Sequence, residues 1–305
     1  MKKLAAVSAA ALCLSLAACG DSESDDGRPS VVTSFYPATF LAERIGGDTV
    51  SVTALTSPGT EAHDLELTAK QVVEVNEADV LVHLSEFQEA VDAAIEDSDR
   101  DDATTVDMAE GVEEVHAEED EGDHEGHNHG HGDEDPHVWL DPENMVKAAE
   151  SVRAALAEAD PDNAAAYEAN AQELVSELES LDTDFETGLA TCERKEFVTS
   201  HAAFGHLAHA YGLDQIAISG VDPQSEPSTA ALAEITDLVK RDGITTVFTE
   251  RLASSALAET VARETGADTA VLDPIEGLSD ETADEDYVSL MRQNLAALQR
   301  ANGCA

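Results

Sequence analysis

Short apolar runs alternate with longer amphipathic stretches along most of the chain. The runs are rich in Val, Leu and Ile, which is typical of strands buried on both faces of a parallel sheet. The stretches between them repeat apolar residues at helical spacing. This alternation predicts an α/β fold in which helices cover both faces of mainly parallel sheets.

The alternation occurs in two series separated by a long helical region. The predicted strands are 31–35, 50–55, 79–85 and 104–108 in the first series, and 196–200, 215–219, 245–250 and 269–274 in the second. The helices of the two series are predicted at 37–45, 67–78, 86–96, 203–212, 228–243, 253–266 and 284–301. Two series of this kind predict two lobes.

The region between the two series predicts two helices, the second of them long. The first covers residues 141–160, with Asp141 as its cap and Pro142 in its first turn. The second, at about 161–190, would span about 45 Å at the helical rise. We therefore expect an N-terminal lobe at 31–159, a rigid linking helix at 160–190 and a C-terminal lobe at 191–305.

The first eighteen residues have the pattern of a signal peptide. Two lysines precede an apolar run that is too short and Ala-rich for a comfortable membrane span. The run ends in Leu-Ala-Ala-Cys, which resembles a bacterial lipobox with Cys19 as the lipidated residue. The alternative is ordinary cleavage after Ala18 with an incidental cysteine. We expect an extracytoplasmic protein held to the cell membrane only by lipid on Cys19, with 19–30 as a polar tether.

Two of the four cysteines then remain for the folded part of the chain. Cys13 leaves with the signal peptide and Cys19 carries lipid, so Cys192 and Cys304 are left. An extracytoplasmic compartment permits disulfides, and we predict that these two cysteines pair. The alternative is two free thiols.

The charge balance narrows the range of partners. The chain has 16 Lys and Arg against 65 Asp and Glu, a formal net charge of −49. Nucleic acids and anionic lipid surfaces both require basic patches, so neither is expected as a partner. A strongly negative field favours cations. Hydrophobic residues make up 42% of the chain, enough to build a sizeable core.

One acidic, histidine-rich segment at 109–135 interrupts the alternation. It contains no Lys or Arg and cannot bury a core, so the sequence predicts a mobile loop there. Its histidines are candidates for low-affinity metal binding. They are His116, His124, His127, His129 and His131.

Four further side chains lie at the ends of predicted strands, in the loop after one of them, or just after the acidic loop. They are His63, His137, His201 and Asp273. Ligands of parallel α/β sheets lie at the carboxyl ends of strands, and three imidazoles with one carboxylate suit a tetrahedral divalent metal. Sequence spacing alone does not bring these residues together, because a histidine at a strand end is more often a local hydrogen-bonding residue.

Several motifs in order strengthen the metal hypothesis. They are TSFYP at 33–37, PGTEAHDLELT at 58–68, the insert DHEGHNHGHGDEDPH, DPHVWLDP at 135–142, TSHAAFGHLAHAYGL at 199–213, FTERLASS at 248–255 and ETGADTAVLDPIEG at 264–277. With them, the chain resembles the ZnuA-like zinc-binding lipoproteins that serve zinc and manganese ABC importers. The resemblance implies two α/β lobes bridged by a rigid helix, with metal held between them. It implies His63, His137, His201 and Asp273 as ligands.

The resemblance leaves the fourth ligand and the metal open. Some zinc relatives use a glutamate beside the first histidine, but Ala62 occupies that position here and Glu61 lies one residue further away. Asp273, Glu61 and water therefore remain as alternatives. Manganese relatives carry a carboxylate at the position of His201. A third imidazole favours Zn²⁺, with Mn²⁺ as the alternative, because manganese prefers oxygen ligands.

The function implied by the resemblance is capture of Zn²⁺ and its delivery to an ABC-transporter permease and its ATPase, by a protein expected to be a monomer. The histidine-rich loop would gather zinc, or be a solvated insert that binds metal adventitiously. A zinc-dependent hydrolase, an enzyme and not a binding protein, is the alternative function. The segment His124–Asn128 lacks the second histidine of a His-Glu-x-x-His motif, and no Gly-x-Ser-x-Gly motif is present, so we expect no enzyme. Adhesion is a further expectation, because some manganese relatives are described as adhesins.

Overall fold

Two parallel four-stranded sheets organise the chain in a computed structural model that describes residues 27–116 and 134–305. The first sheet has the order β2-β1-β3-β4 and the second has the order β6-β5-β7-β8. Their strands are β1 (Ser30–Thr33), β2 (Ser51–Ala54), β3 (Val80–His83), β4 (Thr105–Asp107), β5 (Glu196–Thr199), β6 (Asp214–Ala217), β7 (Thr246–Thr249) and β8 (Asp268–Val271). Every strand corresponds to one that the hydrophobic pattern predicts.

Strand register aligns the carboxyl ends within each sheet. In the first sheet β1 pairs with β2 through Ser30 and Ser51, and with β3 through Val31 and Val80. In the second, β5 pairs with β6 along its whole length and β7 pairs with β8 in the same way. Because all pairs are parallel, the loops that follow the strands of one sheet emerge at one edge.

Helices cover both sheets and connect successive parallel strands. They are α1 (Tyr36–Gly46), α2 (Ala69–Glu77), α3 (Glu89–Glu96), α4 (Pro142–Ala159), α5 (Ala164–Leu189), α6 (Gly205–Tyr211), α7 (Thr229–Asp242), α8 (Ala256–Thr265) and α9 (Tyr287–Asn302). The predicted cap of α4 is confirmed, since the Asp141 carboxylate accepts a hydrogen bond from the Glu143 amide at 2.9 Å. These ranges agree with the predicted helices to within a few residues at each end.

Helix α5 runs past both sheets and joins the two lobes. Its 26 residues span about 39 Å at the helical rise. It packs against α1 and α4 on one side and against α6 and α9 on the other. A stripe of buried side chains faces these neighbours. They are Tyr167, Ala171, Leu174, Leu178, Leu181, Phe185 and Leu189. The predicted fold class, two α/β lobes bridged by a long helix, is confirmed.

One continuous apolar cluster crosses from the first lobe to the second. It contains Val31 of β1, Leu178 of α5 and Phe248 of β7. Polar contacts fix the helix further, since Arg44 pairs with Glu177 at 2.7 Å and the Asn170 side chain donates to the Ile45 carbonyl at 2.9 Å. A shared core of this kind resists separation of the lobes. The lobe boundaries at 159 and 190 stay predictions.

A disulfide bond joins Cys192 and Cys304. It links the chain just after α5 to the chain just after α9. The two cysteines are 112 residues apart in sequence, so the bond encloses the whole second sheet. This pairing agrees with the prediction from the cysteine count.

Several predicted features fall outside the described residues. The signal peptide and Cys19 lie there, as do His124, His127, His129 and His131. Among the residues that the structure does describe, no helix is both long enough and apolar enough to cross a membrane.

Candidate metal centre

Four side chains from four separate segments converge between the two sheets. His63 follows β2, His137 precedes a short 3-10 turn before α4, His201 follows β5, and Glu276 follows β8. One nitrogen or oxygen atom from each lies within 4.8 Å of the others. Within 27–116 and 134–305, this is the one such group of histidine, cysteine and acidic residues. Two members come from each half of the chain.

The Glu276 carboxylate is nearly equidistant from the three imidazoles. Its Oε1 atom lies 3.5 Å from Nε2 of His63, 3.6 Å from Nε2 of His137 and 3.6 Å from Nε2 of His201. The Nε2 atoms of His137 and His201 are 3.3 Å apart. All three rings therefore point the same nitrogen at one small volume.

Two buried carboxylates orient two of the rings. Asp135 lies 2.7 Å from Nδ1 of His137, and Glu250 lies 2.8 Å from Nδ1 of His201. A carboxylate only accepts hydrogen bonds, so each Nδ1 carries the proton that it donates. When the ring is neutral, this tautomer leaves Nε2 as the atom with a free lone pair, which is the arrangement found around histidines that bind metals.

Asp135 is held in place from several sides. Its Oδ1 also accepts the His137 amide at 2.9 Å, and its own carbonyl accepts a hydrogen bond from His206 Nε2 at 2.9 Å. Gly205 lies against this carboxylate, and a Cβ there would clash with Oδ2. His206 is buried in this packing, so its role here is structural.

Packing fixes the third ring, that of His63. Its ring stands edge-on to Phe87 with centroids 4.6 Å apart, and Phe87 packs in turn against Trp139. Gln88 donates to the Ala62 carbonyl at 2.9 Å and so holds the loop that carries His63. Phe87 and Trp139 are both buried and also pack against the ring of His137, so they form an apolar side of the group.

Charge interactions within the group oppose the effect of burial. Burial lowers the pKa of His137, but the neighbouring Asp135 and Glu276 carboxylates outweigh it and raise that pKa to about 9. Burial also raises the pKa of Glu276, but the adjacent imidazoles of His137 and His63 outweigh it and leave that pKa well below its usual range. The group therefore combines an ionised carboxylate with basic imidazoles.

Two atoms of the group have no hydrogen-bond partner although both are buried. They are Nε2 of His63 and Oε1 of Glu276. Buried polar atoms are usually paired, because an unpaired one costs about 1–3 kcal/mol. Both atoms face the volume enclosed by the four side chains. A cation there would satisfy them together.

The prediction of Asp273 as the fourth member is corrected by the structure. Its Oδ2 atom is 2.9 Å from Arg251 Nε, and its Oδ1 accepts the Ile275 amide at 2.9 Å. Strand β8 ends at Val271, so Asp273 turns back towards β7, while Glu276 reaches the imidazoles three residues later. Glu276 lies in the same motif as Asp273, DPIEG, so the sequence did indicate a carboxylate in this loop. Sequence alone cannot show which of the two carboxylates faces the cleft.

Glu61, the other alternative for a protein ligand, lies close to the group without joining it. Its Oε1 accepts the His63 amide at 2.8 Å. Burial and the nearby Glu276 raise its pKa, while the bond from the His63 amide lowers it. It therefore supports the His63 loop from the backbone side.

The described ends of the acidic segment meet at the surface. His116 is exposed and forms an isolated antiparallel bridge with Glu134. The Asp135 amide donates to the Val115 carbonyl at 2.8 Å. The insert is thus attached directly to Asp135, the residue that orients His137. His116 is not part of the four-residue group.

Comparison with protein families gives one match along most of the chain. The matching family is described as zinc-uptake complex component A, periplasmic (ZnuA), and residues 31–301 match it. The match includes all four residues of the group.

Two curated relatives cover nearly the whole chain. The zinc-binding lipoprotein AdcA of Streptococcus pneumoniae is 40% identical over 98% of this chain. The match covers 61% of AdcA, so the chain spans about three fifths of that relative's length. The high-affinity zinc uptake system protein ZnuA of Bacillus subtilis is 39% identical, with coverage of 95% of this chain and 94% of the relative.

A solved structure shares the architecture. The crystal structure of the Zn(II)-bound ZnuA-like domain of Streptococcus pneumoniae AdcA superposes with a TM-score of 0.75 at 37% sequence identity. The superposition covers 90% of this chain and 99% of that domain.

Proposed function

The chain belongs to the family of periplasmic zinc-uptake components, and on that basis we propose that it captures Zn²⁺ between its lobes and delivers it to the permease of an ABC importer. The ligands are Nε2 of His63, His137 and His201 and the carboxylate of Glu276. Zinc is the transported cargo of this site. The observation that carries the proposal is the convergence of these four side chains around two unpaired buried atoms.

The spacing of the four atoms fits a tetrahedral zinc ion. Zinc binds imidazole nitrogen at about 2.0–2.1 Å, and the edge of a tetrahedron of that size is about 3.3–3.4 Å. Four of the six separations, three from Glu276 Oε1 and the one between His137 and His201, run from 3.3 to 3.6 Å, and all six lie within 4.8 Å. A small inward movement of the side chains is enough to complete the coordination.

The donor set favours zinc over manganese. Three neutral nitrogens and one oxygen suit Zn²⁺, whereas Mn²⁺ prefers mainly oxygen ligands and binds more weakly at a given site. Manganese is the second candidate, since one carboxylate is present and a second, Glu61, lies beside it. The discriminating measurement is zinc binding in the presence of a hundredfold excess of Mn²⁺, with zinc retained in the site as the expected result.

Four protein ligands also favour binding over catalysis. A catalytic zinc keeps one coordination position for water or substrate, whereas this group fills a tetrahedron with side chains. Family membership supports the same conclusion, because the family is that of a component of an uptake complex. A hydrolase function therefore has no support in the donor set.

The proposal also covers where the protein is held and how zinc reaches its cleft. Lipid on Cys19 holds the protein at the outer face of the cell membrane, near its permease. The net charge of −49 attracts cations towards the cleft. The histidine-rich loop gathers zinc loosely and is not required for the tight site, because ordering it opposes binding. A role of this protein in adhesion stays a prediction from the sequence.

Single substitutions test the ligand set directly. We expect His63→Ala, His137→Ala and His201→Ala each to weaken zinc binding by at least about a hundredfold, because each removes one of four ligands. Calorimetric competition against a chelator of known affinity measures this. The matched control is His209→Ala, an exposed histidine of α6, which should bind like the parent. Parent-like binding by all three site variants would refute the assignment.

A further inference from the structure

An unusual backbone conformation directly precedes Glu276. Ile275 has a φ of 59°, in the left-handed region, and its side chain is fully buried. A β-branched residue rarely adopts this conformation and keeps it only where its surroundings impose it. Because Ile275 and Glu276 are adjacent, the turn at Ile275 decides where the Glu276 carboxylate points.

Asp273 supplies the contacts that impose this turn. Its Oδ1 atom accepts the Ile275 amide at 2.9 Å, which closes a tight loop over Pro274. Its Oδ2 atom is 2.9 Å from Arg251 Nε. The second arm of Arg251, through Nη1, pairs with Glu281 at 3.0 Å. The Asp273 carboxylate is therefore anchored to the chain just after β7 while it holds the Ile275 amide.

The backbone on either side of the turn is also fixed. Asn294 of α9 accepts the Asp273 amide at 2.8 Å and donates to its carbonyl at 2.7 Å. Trp139 donates through Nε1 to the Pro274 carbonyl at 2.7 Å. Beyond Glu276, the Leu278 carbonyl accepts the Gly59 amide of the first lobe at 2.7 Å. The backbone on both sides of the turn at Ile275 is therefore held, and the turn itself sets the direction of the Glu276 side chain.

We propose that Asp273, anchored by Arg251, is a positioning residue that sets the Ile275 turn and thereby aims the Glu276 carboxylate at the three imidazoles. The inference rests on the proposed function, since it assigns a role relative to the zinc ligands. Asp273 acts on zinc only through Glu276. Its own carboxylate is committed to Arg251 and to the Ile275 amide, and it is not a member of the ligand group.

A double-mutant cycle tests this role. We expect Asp273→Ala to weaken zinc binding about 10–100-fold, the range seen when a residue that orients a metal ligand is removed. The same substitution in a Glu276→Gln background should change zinc affinity less than about twofold, because the carboxylate that Asp273 aims is already absent. A merely structural role predicts the same loss in both backgrounds. Competition against a chelator gives the four affinities.

Two further variants control for folding and charge. Asp273→Asn keeps an acceptor for the Ile275 amide and loses only the charge towards Arg251, so we expect a smaller loss than for Asp273→Ala. Circular dichroism of the zinc-free protein shows whether Asp273→Ala folds. If it does not, Asp273→Asn replaces it in the double-mutant cycle with Glu276→Gln. Asp280→Asn removes an exposed charge from the same loop and should bind zinc like the parent.

The outcomes separate this inference from the proposed function. Parent-like zinc affinity in both Asp273 variants, with weakened binding in Glu276→Gln, would overturn the positioning role and leave the ligand set intact. Equal losses in the two backgrounds would overturn it as well. Parent-like zinc affinity in Glu276→Gln itself would show that Glu276 is not a ligand. It would also overturn the positioning role of Asp273.

Discussion

At the residue scale, the site depends on carboxylates that do not reach the cargo. Asp135 and Glu250 each accept a hydrogen bond from Nδ1 of a histidine and so direct Nε2 into the cleft. They also make the imidazoles more basic, and a more basic nitrogen donates more strongly to a metal. The cost is competition, since a proton binds to the same lone pair that zinc requires.

That competition predicts a pH dependence. The pKa of His137 is raised to about 9, so near pH 7 the zinc-free protein carries a proton there that zinc must displace. We expect zinc affinity to rise as pH increases from about 6.5 to about 9, with proton release during binding. Calorimetry at pH 7.5 in two buffers of different ionisation enthalpy counts the protons. Equal apparent enthalpies in the two buffers would contradict the shift.

Without zinc, pH affects the free energy of unfolding in the opposite direction to its effect on zinc affinity. His137 has a folded pKa above its ordinary value, so its contribution to the free energy of unfolding is present below about pH 6.5 and is lost as pH rises through about 9. Low pH therefore favours the folded zinc-free protein through His137, whereas high pH favours zinc binding. Asp135→Asn removes the charge that raises this pKa, so it should reduce proton release.

At the element scale, the sequence predicts strands well and loop geometry poorly. The eight apolar runs correspond to β1–β8. The inner strands of both sheets are largely buried and require continuous hydrophobic residues, whereas the edge strands β2, β6 and β8 are exposed or half-buried and follow the same pattern less strictly. The loop after β8 has no such signal. Its course depends on the left-handed turn at Ile275 and on contacts with Arg251 and Trp139, which are distant in sequence. Asp273 and Glu276 could therefore not be distinguished without the structure.

The disulfide gives a prediction about α5 and α9. The bond between Cys192 and Cys304 ties the ends of these helices; Cys192 precedes β5, whereas His201 of the metal group follows that strand. A Cys192→Ser, Cys304→Ser variant should lose about 2–5 kcal/mol of unfolding free energy, because a long loop in the unfolded chain is no longer closed. Zinc affinity should not change. Urea unfolding with zinc titration measures both quantities; unchanged unfolding or weakened zinc binding would contradict this account.

The acidic insert gives a second prediction at this scale. Its described ends, His116 and Glu134, already pair across a bridge, so 117–133 can be replaced by a two-glycine turn without stretching the chain. We expect this deletion to retain one tight zinc site with parent-like affinity and to lose the additional weak binding. Calorimetric titration to excess zinc gives both numbers. Loss of the tight site would show that the insert contributes to it.

At the scale of the whole molecule, zinc would connect the two lobes. His63 and His137 belong to the first half of the chain, and His201 and Glu276 belong to the second. Helix α5 and a shared apolar core already hold the lobes together. For the capture and release proposed above, we therefore expect small movements of loops or lobes and not a wide hinge opening. The loop that carries Glu276 contacts both lobes, which makes it the element through which such movements reach the ion.

A crystal structure of the zinc-loaded protein, with anomalous scattering collected at the zinc edge, tests the central claim most directly. The account predicts one strong peak between the lobes, about 2.0–2.2 Å from Nε2 of His63, His137 and His201 and from a Glu276 oxygen. A fully loaded crystal without a peak at that position, or with the ion held by Asp273 in place of Glu276, would contradict it.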